Sequence, residues 1–239
     1  MKKYKNKDTY LNMQLSHYNQ RANDWSIDNR NPVVGSYQEH NDFKDYDTYL
    51  FDGIDTSNLK ALDYGSGPGR NLIRFNNRFK EIDGVDISPV NKEKAEINLA
   101  DAGIPFPNYY VTSGDNIPVN DSTYDVIFST ICLQHICCHE IRFNIMKDVY
   151  RTLKAGGIFC AQMGMGGKVV EGKIFSVNYY ENKYDAKSTN GRMDVSIEKE
   201  EYLITDLHKI GFDRYKSHIG KTGPGDNHKN WIWFQARKP

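Results

Sequence analysis

From Leu59 onward, short apolar runs alternate with helical patterns, and that alternation leaves the chain few folds to choose from. The runs are residues 59–64, 82–87, 109–112, 124–129 and 158–161. Alternation of this kind builds βαβ units around a parallel sheet. In the fourth run Val126, Ile127 and Phe128 follow one another without a polar break, as a strand covered on both faces requires. Helical patterns fill the gaps at residues 71–79 and 89–102. Ser88 offers an N-cap to the second of these, and Pro89 suits its first position. Ile141, Ile145, Val149 and Leu153 recur every four residues and predict one apolar helical stripe, ended by Gly156-Gly157. Residues 164–195 read as irregular. Ser196 is expected to cap a helix running to Ile210, with Gly211 as its stop. Residues 212–219 and 231–236 read as an antiparallel pair at one sheet edge. Ahead of this region lie two helical patterns, at residues 8–21 and 42–51. The expected layout is an N-terminal helical cap over residues 1–57 and a main domain over 58–239, with an insertion or lid at about 164–197.

Length and charge narrow the function. A chain of 239 residues suits one α/β domain with additions. Lysine plus arginine total 31, as do aspartate plus glutamate, so the net charge is zero. This argues against a domain that grips phosphate backbones, which shows a basic excess. No apolar run approaches the ~18 residues of a membrane helix, and the start lacks the apolar core of a secretory signal. The expected location is therefore the cytoplasm. Cys132, Cys137, Cys138 and Cys160 show no framework spacing and read as reduced thiols.

The segment from Asp63 to Arg70 carries most of the functional signal. It joins a strand to a helix and places glycine at 65, 67 and 69. Glycine permits tight turning and lets a ligand approach the backbone. In open α/β sheets, ligands bind beyond the carboxyl ends of the strands. The spacing departs from the dinucleotide fingerprint, because Arg70 stands at the sixth position, where that fingerprint wants its third glycine. Asp86 ends the second strand, where a carboxylate can accept hydrogen bonds from ribose hydroxyls; the alternative is a strand-end or helix-dipole partner. Asp115 and Asn116 follow the third strand, where they can meet an adenine amine with Ile117 against the ring; the alternative is a turn.

These pieces together resemble a known family. The run Asp63-x-Gly65-x-Gly67-x-Gly69, then Gly84-Val85-Asp86-Ile87-Ser88, Gly114-Asp115, the 124–129 strand and Leu153-Lys154-Ala155-Gly156-Gly157 is similar to the class I S-adenosylmethionine (SAM)-dependent methyltransferases. Ala155 departs from that pattern, which has proline there. The resemblance implies an α/β, Rossmann-like sheet of seven strands, mostly parallel with the last reversed, and helices on both faces. It implies SAM as cofactor and S-adenosylhomocysteine as product, with no metal. It implies that Asp63, Gly65, Ser66, Gly67 and Gly69 hold the methionine part, that Asp86, with Ile87 and Ser88 beside it, holds the ribose, and that Asp115, Asn116 and Ile117 hold the adenine. Thr130 and Ile131 would lie near the sulfonium.

The acceptor side is less specific. Neutral oxygen and protonated nitrogen acceptors need a base, and His135 is the candidate; the alternative is a helix cap or a space-filler. The string Asp/Asn-Pro-Pro-aromatic of base aminomethylating enzymes is absent after the fourth strand, and Cys132 is not preceded by proline. His135, Cys137, Cys138 and His139 lack zinc-finger spacing. A small-molecule acceptor is the expected partner, with no nucleic acid and no membrane. Tyr18, Trp25, Tyr179 and Tyr180 are candidate wall residues, the alternative being packing of the cap onto the core. Two other readings compete: a SAM-binding regulatory protein without catalysis, and a nicotinamide-dependent oxidoreductase.

Overall fold

A computed structural model describes residues 6–22, 46–167, 169–170, 173–174, 176–185, 194–222 and 228–239. In chain order the elements are α1 (Lys7–Ala22), a π-helical turn (Tyr46–Leu50), β1 (Lys60–Tyr64), α2 (Arg70–Arg74), β2 (Glu81–Asp86), α3 (Pro89–Asp101), β3 (Tyr109–Val111) and β4 (Tyr124–Ser129). A 3-10 turn (Leu133–His135), α4 (His139–Thr152) and β5 (Leu153–Met165) follow. The short strands β6 (Val169–Val170), β7 (Lys173–Ile174), β8 (Val177–Asn178) and β9 (Val195–Ser196) lead to α5 (Glu200–Ile210), β10 (Arg214–Lys221) and β11 (Asn230–Arg237). No described helix is long and apolar enough to cross a membrane.

Seven strands form one sheet in the order β3-β2-β1-β4-β5-β11-β10. β3, β2, β1, β4 and β5 pair in parallel. β11 runs antiparallel to both β5 and β10, so it is the reversed strand. The order turns at β1 and β4, whose carboxyl ends open a crevice between loops leading to opposite sides of the sheet.

Strand alternation sorts side chains onto two cores. Leu62, Ile127, Phe159, Ile232 and Phe234 enter one. Ala61, Val126, Phe128, Cys160 and Trp233 enter the other. The first is covered by α4 and α5, through Ile141, Ile145, Val149, Leu203 and Leu207, all buried. Each such side chain contributes about 1.5–3 kcal/mol by leaving water. The second is covered by α2 and α3 through Leu72, Ala95 and Leu99. Phe51, Phe75, Phe79 and Phe128 meet there at centroid distances of 5.3–6.0 Å. Leu50 and Phe51 thus belong to the sheet's own core, whereas α1 lies over the strand tips with Tyr10 in the first core.

Several boundaries differ from the sequence pattern, each for a local reason. α2 stops at Arg74, not 79. The Phe75 N–H bonds back to the Asn71 carbonyl and the Arg78 N–H to the Phe75 carbonyl, a turn that aims Phe75 and Phe79 at Phe51. α4 ends at Thr152, before the double glycine. The Lys238 ammonium takes the orphan carbonyls of Tyr150 and Leu153 at 2.8 and 2.7 Å. Leu153 keeps the buried position its stripe predicted, but it starts β5, which extends to Met165 because β11 pairs along it from Ile158 to Met165. Ser196 does not cap α5. It lies in β9 and accepts the Gly167 N–H at 2.5 Å, while Lys199 holds the cap position with no side-chain bond. Glu200 and Glu201 favour that helix start by charge alone. Ser88 does cap α3, accepting the Asn91 N–H at 3.1 Å, and Gly211 ends α5 with φ 121°.

Candidate active site

A cavity of about 330 Å³ opens at the carboxyl ends of β1, β2 and β4. Its wall includes Gly65 to Pro68, Arg70 and Asn71 after β1, Asp86, Ile87 and Asn91 after β2, and Thr112 and Gly114 after β3. Thr130, Ile131 and Cys132 follow β4, and Tyr10, Leu11, Gln14 and Tyr18 come from α1. Ile136 and Ile141 complete it.

Asp86 organises the polar end. One carboxylate oxygen accepts the Gly67 N–H at 2.9 Å. The other accepts the Ser88 N–H at 2.9 Å and the Asn91 side-chain amide at 3.0 Å. A carboxylate offers about four lone-pair sites, so three internal bonds leave room for roughly one more. Burial raises the Asp86 pKa, and the bonds from Asn91, Ser88 and Gly67 oppose that rise. Gly67 has φ 53°, and a Cβ there would meet no atom within 4 Å, so its backbone faces open space. Gly65 has φ 80°, and a Cβ would stand 2.3 Å from the Cys132 sulfur. Gly69 serves helix packing: a Cβ would strike Leu99 of α3 at 2.7 Å, and the residue is not in the cavity wall.

Asp63 lies under the loop, fully buried. Burial pushes its carboxyl up to about 7, with Ser66 and Asn71 offsetting only part of the effect. Thr130 accepts the Asn71 side-chain amide at 2.9 Å. Ile131 adopts φ 50°, a conformation β-branched residues rarely take. Backbone strain of about 1–3 kcal/mol concentrates at functional sites; here it sets Ile131 and Cys132 into the cavity wall.

Other sequence-predicted residues stand elsewhere. Asp115 pairs with Lys7 of α1 and accepts from Asn144 at 3.2 Å. The Asn116 amide oxygen closes its own turn by accepting from Thr112 and Ser113. Ile117 is buried, with its N–H on Asp148. The wall at this tip is Thr112 and Gly114 instead. Ser88 sits behind the wall, capping α3 and donating to Asn19 of α1 at 2.7 Å. His135 follows the wall residue Cys132 in the 3-10 turn, with its ring on Asp194 at 2.8 Å. His139 turns to Asp206 at 2.6 Å, and Cys137 and Cys138 are buried thiols. Tyr18 is in the wall, but Tyr179 and Tyr180 pack against His139, away from it. Trp25 lies outside the described residues. Tyr10 and Asn91 were not singled out from the sequence, and Leu11 was read only as an apolar position of the helical pattern over residues 8–21.

Residues 62–161 match the family model of a methyltransferase domain. They form a methyltransferase domain. Over 220 residues the chain is 24% identical to an uncharacterized methyltransferase of Oceanobacillus iheyensis, covering 90% of this chain and 94% of that one. A SAM-dependent methyltransferase from Aquifex aeolicus superposes with TM-score 0.54 at 15% identity, over 81% of this chain and 93% of that one. A phosphoethanolamine N-methyltransferase 2 of Haemonchus contortus, solved with phosphomonomethylethanolamine and S-adenosylhomocysteine, superposes with TM-score 0.58 at 18% identity. That match covers 79% of this chain but only 50% of the Haemonchus protein. At these identities the structural likeness is one of fold.

The methyl donor of the methyltransferase is SAM, and the residues present fit it. Ser66 Oγ and Asn91 Oδ1, in wall residues, and Asp63 Oδ2, beneath the glycine loop, are buried without a hydrogen-bond partner among the described residues. Buried polar atoms left unpaired cost free energy, and a polar ligand in the cavity relieves it. Gly65 is the tightest steric element. Gly65→Ala should lower stability by about 1–3 kcal/mol through backbone strain and the Cys132 clash. In a Cys132→Gly background the same change should cost less, about 1 kcal/mol. Chemical denaturation of the four proteins checks this, and equal costs in both backgrounds would contradict the contact.

Proposed function

We propose that the methyltransferase moves the methyl group of SAM to a small-molecule acceptor and releases S-adenosylhomocysteine. The observation that carries the reading is the cavity at the strand tips, polar at Asp86 and the glycine loop and walled elsewhere by Tyr10, Leu11, Tyr18, Ile136 and Ile141. A concave, largely apolar site with a few convergent polar groups suits a small ligand. Roofing by α1 and the zero net charge favour a small acceptor over a polymer.

Bound in this cavity, SAM supplies a methyl group activated by a positively charged sulfur. Gly65, Ser66, Gly67 and Asp63 hold the methionine end, with Gly69 letting α2 pack on α3 behind them. Asp86 accepts one ribose hydroxyl with its remaining lone pair. Ile87, Thr112 and Gly114 bound the adenine, while Asp115, Asn116 and Ile117 shape that loop from behind. Thr130 and Ile131 wall the transfer end. Tyr18 faces the acceptor from α1; burial keeps its phenol protonated, reinforced by Cys132 and the carboxylates of Asp86 and Asp194, so it acts as a donor. His135 takes the acceptor's proton. Holding donor and acceptor in line supplies much of the rate. Within the proposed N-terminal cap, α1 lies over the cavity and residues 46–57 lie against the sheet, and the described part of residues 164–197 forms an insertion after β5.

Turnover tests this directly. S-adenosylhomocysteine release from SAM should rise above background with at least one acceptor from a panel of amines, phenols, alcohols and carboxylic acids. Binding of S-adenosylhomocysteine with no release for any acceptor would support the regulatory reading, and a larger thermal shift with NAD than with S-adenosylhomocysteine would favour the oxidoreductase.

The Asp63 carboxyl predicts a pH dependence. Its folded pKa is raised, so without ligand it is protonated below about 7. A ligand ammonium beside it favours the carboxylate and lowers that pKa. S-adenosylhomocysteine affinity should therefore increase from pH 5.5 to pH 7.5, with proton release at pH 6, and level off above. Calorimetry in two buffers of different ionisation enthalpy measures the released protons. Asp63→Asn should abolish the release; unchanged release would remove Asp63 from the methionine end.

A further inference from the structure

Three side chains from distant parts of the chain meet next to the segment that carries the wall residues Cys132 and Ile136. His135 lies between those two in the chain without being in the wall itself. Its Nδ1 lies 2.8 Å from one oxygen of Asp194, the residue just before β9. The other Asp194 oxygen lies 3.6 Å from His228 Nε2. The His228 ring fits only because residue 164 is glycine, since a Cβ there would stand 2.2 Å from the imidazole. Trp231 closes its other side at a centroid distance of 5.0 Å.

The exposures differ in a telling way. The Asp194 side chain is 2% exposed and that of His228 is 0%, but that of His135 is 22% exposed. The carboxylate is therefore sealed in, while the imidazole it holds reaches outward. Burial alone would raise the Asp194 pKa, but the hydrogen bond from His135 and the nearby His228 ring outweigh it and hold the group well below the usual carboxylate range. An ionised carboxylate can only accept. The proton in the His135–Asp194 bond must then sit on Nδ1, so that whenever the ring is neutral its lone pair is on Nε2.

We propose that Asp194 is a positioning residue for methyl transfer: it fixes His135 as the Nδ1–H tautomer and leaves Nε2 to accept a proton from the nucleophile. This rests on the proposed function, and it narrows the acceptor to one whose nucleophilic atom carries a dissociable proton, a hydroxyl or an ammonium group. As the nucleophile bonds to the methyl carbon, the carbon–sulfur bond breaks and its electron pair stays on sulfur. A hydroxyl gives its proton to His135 Nε2 as it attacks, an ammonium gives one before it attacks so that its nitrogen gains the lone pair that bonds to carbon, and from Nε2 the proton passes to water. Asp194 balances the imidazolium formed in between, and His228 holds the carboxylate from behind.

The test reads the tautomer itself. Long-range proton–nitrogen spectra of protein labelled with 15N-histidine distinguish a protonated ring nitrogen from a bare one, and His135→Gln assigns the signal. At pH 8 the wild type should show a protonated Nδ1 and a bare Nε2 at His135. Asp194→Ala should shift the ring toward the Nε2–H form, and Asp194→Asn, closest in shape, serves if the alanine variant fails to fold. A wild-type ring in the Nε2–H form, or a tautomer unmoved by both substitutions, would overturn the proposal. Turnover with ethanolamine and catechol as ammonium and hydroxyl probes should fall about 100-fold in kcat, with KM for SAM unchanged. Turnover of either probe that is insensitive to Asp194 would also overturn it. S-adenosylhomocysteine binding by calorimetry separates the two layers: its loss in the wild type defeats the donor reading, whereas its retention with the wrong tautomer defeats only the role of Asp194.

Discussion

The Asp86 carboxylate holds the site together. It accepts the Gly67 N–H from one loop, the Ser88 N–H at the start of α3 and the Asn91 side chain one turn further on. Two strand tips are thereby locked at a fixed separation. The desolvation cost of a buried carboxylate is partly offset by three donors, and the geometry that brings them together also leaves Gly67 facing open space. The conformation of the glycine loop is thus set by what lies beneath it as much as by the freedom of its own residues.

α1 depends on the same framework. It is tied to three of the four loops that frame the cavity. Asn19 accepts from Ser88 after β2, Lys7 pairs with Asp115 after β3, and Tyr10 accepts the Cys137 N–H at 2.7 Å beyond β4. These ties place Tyr10, Leu11, Gln14 and Tyr18 along the wall. A helix that roofs a ligand cavity and is held at its margins excludes water when seated, and it must loosen for ligand exchange. Asp115 shows how such a tie competes with ligand recognition, because the carboxylate that would meet an adenine amine is occupied by a lysine of the roof.

Much of this was legible in the residues, and the failures have physical causes. β4 was read at its observed bounds because three consecutive apolar residues at the centre of a doubly covered sheet leave little ambiguity. The glycine loop, Asp86 and the Ser88 cap are local signals, set by a few neighbouring residues. The reversed β11 followed from the short connection to β10, but its place between β5 and β10 is a tertiary fact. The end of α4 depends on Lys238, 85 residues beyond Leu153, and no local pattern carries it. Asp194 lies 59 residues from His135 in a polar stretch without periodicity, so only the folded chain brings them together. Tyr179 and Tyr180 looked like wall residues because aromatic residues suit both a pocket and a packed cluster, and their neighbours His139 and Tyr202 decided for the cluster.

The central claim is that three strand-tip loops and α1 enclose one donor molecule. Amide hydrogen exchange with and without S-adenosylhomocysteine tests all four segments at once. Ligand should slow exchange over residues 65–71, 86–91, 112–117 and along α1 from Lys7 to Ala22, and leave the β10–β11 edge unchanged. Slowing confined to other segments, or an α1 that exchanges at the same rate with ligand bound, would contradict the enclosure.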